Sequence, residues 1–143
     1  VIRHAVRVLL VSADERVLLM AAQEDRERFW FPPGGGLEDG EDARAAAVRE
    51  VLEETGFALQ DVGVEVWRRR HVFTWRGAEI DQRERWFLAR VGTAFDVVRS
   101  GWTDAEREDL RAARWWTLDE LDGATERLVP DDLAARLRAA LRA

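Results

Sequence analysis

The sequence predicts an α/β domain in which a mixed β-sheet is flanked by helices. Three observations lead there. Apolar strand-like runs stand on both sides of one strongly helical segment, a second amphipathic helix closes the chain, and 143 residues suffice for one core. A single domain over residues 1–143 is expected.

Each element follows from local chemistry. Residues 5–11 (AVRVLLV) form an apolar run of buried-strand length, and 12–16 (SADER) a turn. Residues 17–22 (VLLMAA) are its expected partner. The charged stretch 23–28 leads to FWFPPGGG, a short aromatic strand ending in Pro and Gly. Residues 42–55 are helical: Asp42 is placed as N-cap, alanines follow, and Gly56 stands where a C′ residue belongs. Residues 62–76 and 79–91 predict two long strands joined at Gly77. Alternation puts Val62, Val64 and Val66 on one face and Trp67, Phe73 and Trp75 on the other. Residues 92–112 read as loop with an acidic helical stretch over 103–112, and 115–118 as a last strand. Residues 130–143 predict a helix with early acids (Asp131, Asp132), late arginines, and a stripe of Leu133, Leu137 and Leu141.

Composition removes several function classes. With 22 basic and 28 acidic residues the net charge is −6, which argues against nucleic-acid binding by bulk charge. The absence of cysteine excludes a disulfide scaffold, a thiolate zinc site and a cysteine nucleophile. Every basic residue is arginine, so lysine chemistry is excluded and any phosphate grip must come from guanidinium or backbone groups. Asn and Tyr are missing too, which points to genomic base composition as the common cause. No apolar run reaches the roughly 20 residues of a membrane span, and no secretory pattern opens the chain, so a cytoplasmic location is expected. Val1 at the start leaves room for a trimmed leader.

The segment 42–55 carries the chemistry. At about 100° per residue, Val48, Val51, Leu52 and Thr55 share one side, the expected sheet-facing side. Glu50, Glu53 and Glu54 cluster opposite, together with Ala43, Ala46 and Ala47, whose small side chains admit a second backbone close by. The pairs Glu50/Glu54 and Glu50/Glu53 each cost roughly 0.2–0.5 kcal/mol, and they sit at the negative end of the helix dipole. Arg49 is the one obvious neighbouring cation. A hard divalent cation with oxygen ligands would turn that repulsion into a binding site; the alternative is a solvated acidic face.

Gly35, Glu41 and the run Arg49-Glu50-Val51-Leu52-Glu53-Glu54-Thr55-Gly56-Phe57 have a recognisable spacing. This segment resembles the Nudix box, the defining motif of the Nudix hydrolases, at all nine specified positions over 23 residues. Aromatic Phe57 in place of the usual aliphatic residue is a mild departure. FWFPPGG before the box and RWWTLDEL near the end are also family-like. The resemblance implies an α/β/α sandwich with a mixed β-sheet and the box as loop–helix–loop. It implies hydrolysis of a nucleoside diphosphate linked to another moiety. By position, Glu50, Glu53 and Glu54 are implied as ligands of Mg2+, with Mn2+ as substitute, and the Gly34 carbonyl as a further ligand. Arg49 is implied to orient the carboxylates, and Glu41 to brace the loop. A late-loop acid that assists is implied among Glu106, Glu108 and Asp109.

Other features have weaker readings. Gly34-Gly35-Gly36 lacks the following Lys and Ser/Thr of a P-loop, so a turn presenting carbonyls to the metal is the expected role. One of Arg68 and Arg70 is a candidate for substrate contact, against a solvated strand. His4 and His71 have no partner at ligand spacing. Trp102, Trp75, Phe73 and Phe29 are stacking candidates, with core packing the favoured reading for each. The proline downstream of the box that marks ADP-ribose enzymes is missing around Val72, as is the tyrosine of dinucleoside polyphosphate enzymes, which Phe73 or Trp75 would have to replace. The expected substrate is a small nucleotide (a nucleoside triphosphate, a nucleotide sugar or a dinucleoside polyphosphate) in preference to a long RNA, which the net charge repels. No membrane partner is expected, and the chain is expected to be a monomer or homodimer. The second reading is a nucleotide sensor on the same fold without catalysis; the intact Arg49, Glu50, Glu53 and Glu54 favour the enzyme.

Overall fold

The computed structural model describes residues 1–98 and 110–143. Its elements are β1 Ile2–Val11, β2 Val17–Glu24, β3 Glu27–Phe31, β4 Gly34–Gly36, α1 Ala43–Thr55, β5 Val64–Trp75 and β6 Ala78–Arg90. They continue with β7 Leu110–Trp116, α2 Leu118–Asp122, β8 Arg127–Leu128 and α3 Leu133–Arg142. The strands form one mixed sheet in the order β5-β6-β1-β2-β3-β8, with β4 added to β1 and β7 to β2. β1 runs parallel to β6 along its whole length, from Ile2↔Asp81 to Val11↔Arg90. It meets antiparallel β2 only at Val11↔Val17. Beyond that point the sheet forks: β1 takes β4 and β2 takes β7.

Each face of the sheet carries its own core. Val6, Val8, Leu10, Leu18 and Phe87 pack against Ala43, Ala46, Ala47 and Val51 of α1. Leu9, Val11, Leu19, Trp86 and Trp116 pack against Leu133 and Leu137 of α3. The result is the α/β/α layering the sequence predicts. Among the described residues, no helix is long and apolar enough to cross a membrane.

Local signals fixed the helix ends. The Asp42 side chain accepts from Ala45 N–H at 2.7 Å, and Gly56 closes α1 in the left-handed conformation at φ 81°. The stripe Leu133 and Leu137 is fully buried on α3, although that helix begins at Leu133 and not at Pro130.

Several expectations are corrected. The buried face of α1 is Ala43, Ala46, Ala47, Glu50, Val51, Glu54 and Thr55, so Val51 and Thr55 are inside as expected, whereas Leu52 is 49% exposed. Alanines and the glycine strand β4 allow an approach closer than a leucine face would. In β5 a bulge between Glu65 and Trp67 breaks the alternation. Val66 and Trp67 therefore pack on the same cluster, while Val64 is exposed. The helical stretch expected over 103–112 is strand from Leu110 onwards; 103–109 lie outside the described residues. The strand expected over 115–118 stops at Trp116, because Thr117 caps α2 through a reciprocal capping box with Glu120.

Candidate active site

Arg49 organises the acidic helix. Its Nε and Nη2 each donate to Glu41 at 2.8 Å, and Nη2 also reaches the Gly36 carbonyl at 3.1 Å. Its Nη1 donates to Glu50 at 3.0 Å and to Glu53 at 3.2 Å. One planar guanidinium thus ties the loop after β4 to two of the three box glutamates. Glu54 accepts from the buried Gly34 N–H at 3.3 Å and is hydrogen-bonded to Glu50.

The glycines of β4 are required by approach. A Cβ on Gly35 would stand 2.5 Å from Glu50 Oε1, and one on Gly34 would overlap the Val6 carbonyl oxygen. β4 pairs with β1 through Ala5↔Gly36, Val6↔Gly35 and Arg7↔Gly34, which lays its backbone against α1. Glu50 and Glu54 are thereby brought against the backbone of Gly35 and Gly34.

Titration reflects this arrangement. Hydrogen bonds from Arg49 hold the Glu41 carboxyl down to about 2, from its ordinary 4.5. Glu50 is pushed up instead: its burial and the Glu53 charge outweigh Arg49. A depressed acid stabilises the fold above its unfolded value and loses that contribution as pH falls through the folded one. Glu50, being raised, acts in the opposite sense. Between pH 4.5 and about 2, urea midpoints of the wild type should fall more steeply than those of Glu41→Gln. Parallel curves would show that the Glu41–Arg49 pair adds nothing to stability.

The donor set suits a hard cation. Three carboxylates and a nearby glycine carbonyl supply oxygen ligands only, and one acid is buried with its charge disfavoured. Among the described residues no three such side chains stand together at metal-holding distances, since Glu50 and Glu53 turn to Arg49. Glu106, Glu108 and Asp109, like Trp102, lie outside the described residues.

A cleft of about 540 Å³ opens on the sheet face that also carries α3. Phe29 and Phe31, 5.7 Å apart, line one side; His71 stacked on Phe73 at 5.1 Å lines another. Arg3, Arg7, Arg69 and Arg127 supply its positive charge, and Arg7 lies over the Phe31 ring at 5.3 Å. Phe29, Phe73 and Trp75 thus line a cleft, where core packing was the favoured expectation. Arg68 and Arg70 are not in it: they point outward and pair with Glu65 and Asp81, while Arg69 faces in. His71 is in the cleft, its pKa lowered first by burial and then by Arg69; His4 is exposed.

Sequence reasoning missed Arg3, Arg7, Gln82, Glu84 and Arg127. The available signal was parity. Gln82, Glu84, Trp86 and Leu88 alternate along one strand face, so a buried acid there was legible as polar floor.

The family model described as NUDIX domain matches residues 1–138. An RNA pyrophosphohydrolase of Sphingopyxis alaskensis is 31% identical over 131 residues, covering 84% of this chain and 80% of that protein. Nudix hydrolase 25 of Arabidopsis thaliana is 33% identical over 130 residues, covering 82% and 73%. A crystal structure of a C. elegans Ap4A hydrolase binary complex superposes with TM-score 0.68 at 19% identity, covering 98% of each chain, a likeness of fold. Matched by the family model over nearly its whole length and carrying the intact box on its helix, the chain belongs to the NUDIX domain family and is a Nudix pyrophosphohydrolase.

Proposed function

We propose that the chain hydrolyses a diphosphate linkage in a small nucleoside diphosphate derivative, water attacking phosphorus. Glu50, Glu53, Glu54 and the Gly34 carbonyl would hold Mg2+, or Mn2+ in its place. Bound there, the ion supplies charge neutralisation at phosphate oxygens and a water of lowered pKa. The chain's own groups do the rest. Arg49 keeps the carboxylates oriented, Arg3 and Arg7 grip phosphate, and the aromatic walls hold the nucleoside. One of Glu106, Glu108 and Asp109 serves as the assisting acid.

A single observation carries this reading: the cleft and the acidic helix share a border. Arg3 and Arg7 line the cleft, yet Arg3 lies against Gly36 and within electrostatic reach of Glu50, and Arg7 lies against Gly34. A nucleotide seated in the cleft would thread its phosphates past these arginines towards the glutamates. About 540 Å³ falls within the range of small-molecule sites.

The name of the Sphingopyxis relative favours a second reading, in which the nucleotide is the end of an RNA. Charge favours the first. The chain as a whole carries −6, which repels a long polyanion at range, although Arg68, Arg70, Arg83 and Arg85 on the outer face of the β5–β6 hairpin share only Glu65 and Asp81 and keep a local positive excess. Free nucleoside triphosphates, nucleotide sugars and dinucleoside polyphosphates should be hydrolysed faster than triphosphorylated or capped RNA at matched concentration and moderate salt. Faster processing of RNA would establish the second reading. Binding without turnover of any of them would leave a sensor.

A further inference from the structure

The floor of the cleft is polar, and its polar atoms form one connected chain. Arg3 Nη1 donates to Gln82 Oε1. Gln82 Nε2 donates to Glu84 Oε2 at 2.6 Å, and Glu84 Oε1 accepts from Trp86 Nε1 at 3.1 Å and Arg69 Nη1 at 3.2 Å. Strand register builds this chain. Arg3, Gln82 and His71 stand in one row across β1, β6 and β5, and Ala5, Glu84 and Arg69 in the next row facing the same way.

Two features of the chain call for an explanation. First, Glu84 is 4% exposed, and a charge that deep in a sheet is weak support for stability. Burial pushes its carboxyl up, yet the Arg7 charge and the bonds from Gln82 and Trp86 prevail and keep it ionised. Second, Gln82 has one permitted orientation. Its oxygen must face Arg3, which only donates, and its nitrogen must face Glu84, which only accepts. Arg3 is confined from the far side as well, since a Cβ on Gly36 would stand 2.9 Å from its Nη2. The guanidinium is therefore held at Gln82 and borders β4, although Arg3 as a residue is exposed.

We infer that Glu84 is a positioning residue: through Gln82 it fixes Arg3 beside the acidic helix, and directly it fixes Arg69 on the cleft floor. This rests on the reading that the cleft seats a nucleotide whose phosphates meet Arg3. An arginine ordered in advance loses less conformational freedom when a phosphate arrives. The benefit is present in both ground state and transition state, so it belongs to KM.

A double-mutant cycle tests this, using steady-state kinetics with a nucleoside triphosphate and Mg2+. Gln82→Met keeps the volume and removes both ends of the link; it should raise KM about tenfold, with kcat changed by less than about threefold. In an Arg3→Ala background the same change should raise KM less than about twofold, because the group it positions is gone. Glu84→Gln should raise KM further and keep a residual effect in that background, through Arg69. If Glu84→Gln does not fold, Gln82→Met still decides the question, since it removes no charge. Effects of Gln82→Met and Arg3→Ala that simply multiply, or a fall in kcat at constant KM, would overturn the inference while leaving the nucleotide reading intact. A wild type with no turnover on any nucleotide would overturn both.

Discussion

Replacing Glu53 or Glu54 by glutamine should lower Mg2+-dependent turnover by about a hundredfold or more, with the fold retained. The two variants reach this result by different routes. Glu53 is half-buried and pairs with Arg49, so the amide loses one ion pair at the open edge of the network. Glu54 is buried and accepts from Gly34 N–H, a bond that a glutamine oxygen can still take. Neither change opens a cavity, and each removes a like charge from the helix. Melting temperatures in chelator should therefore stay within a few degrees of wild type while rates collapse. Near-normal rates in both variants would place the metal ligands elsewhere.

Arg49→Met should have the largest effect on stability. Its guanidinium serves Glu41, Glu50, Glu53 and the Gly36 carbonyl at once. Removing it leaves three acids facing one another, one of them buried. Loss of one partner from a partly buried network costs about 2 kcal/mol, or roughly 6 °C in Tm for a domain of this size. The exposed pair Arg70–Asp81 offers a contrast, since its arginine is 66% exposed and such pairs contribute little. Thermal melts in chelator read the loss, and added Mg2+ should restore part of it by supplying positive charge to the same oxygens. A melt unchanged from wild type would show that the network adds nothing to the fold.

What was legible in the sequence was local. The caps at Asp42 and Gly56, the leucine stripe of α3 and the spacing of the box each depend on residues within a few turns of one another. What was not legible depends on neighbours brought from afar. The inward face of α1 was legible in part: the alanines do admit the β4 backbone and Val51 and Thr55 are inside, but the burial of Glu50 and Glu54 and the exposure of Leu52 depend on where β4 lies. A bulge beside Trp67 has no signature in an alternating run, and it reverses the expected partition of β5. The cleft draws on β1, β2, β3, β5, β6 and β8, so no spacing along the chain announces it. The Thr117–Glu120 capping box was legible, and the apolar pattern of Trp115 to Leu118 overrode it.

The counter-ion of the acidic helix belongs to the polypeptide. With Arg49 already seated among Glu41, Glu50 and Glu53, the domain completes its packing without waiting for an ion. On the proposed reading, binding of Mg2+ would then be an event separate from folding, and withdrawing the ion should silence turnover while leaving the fold in place.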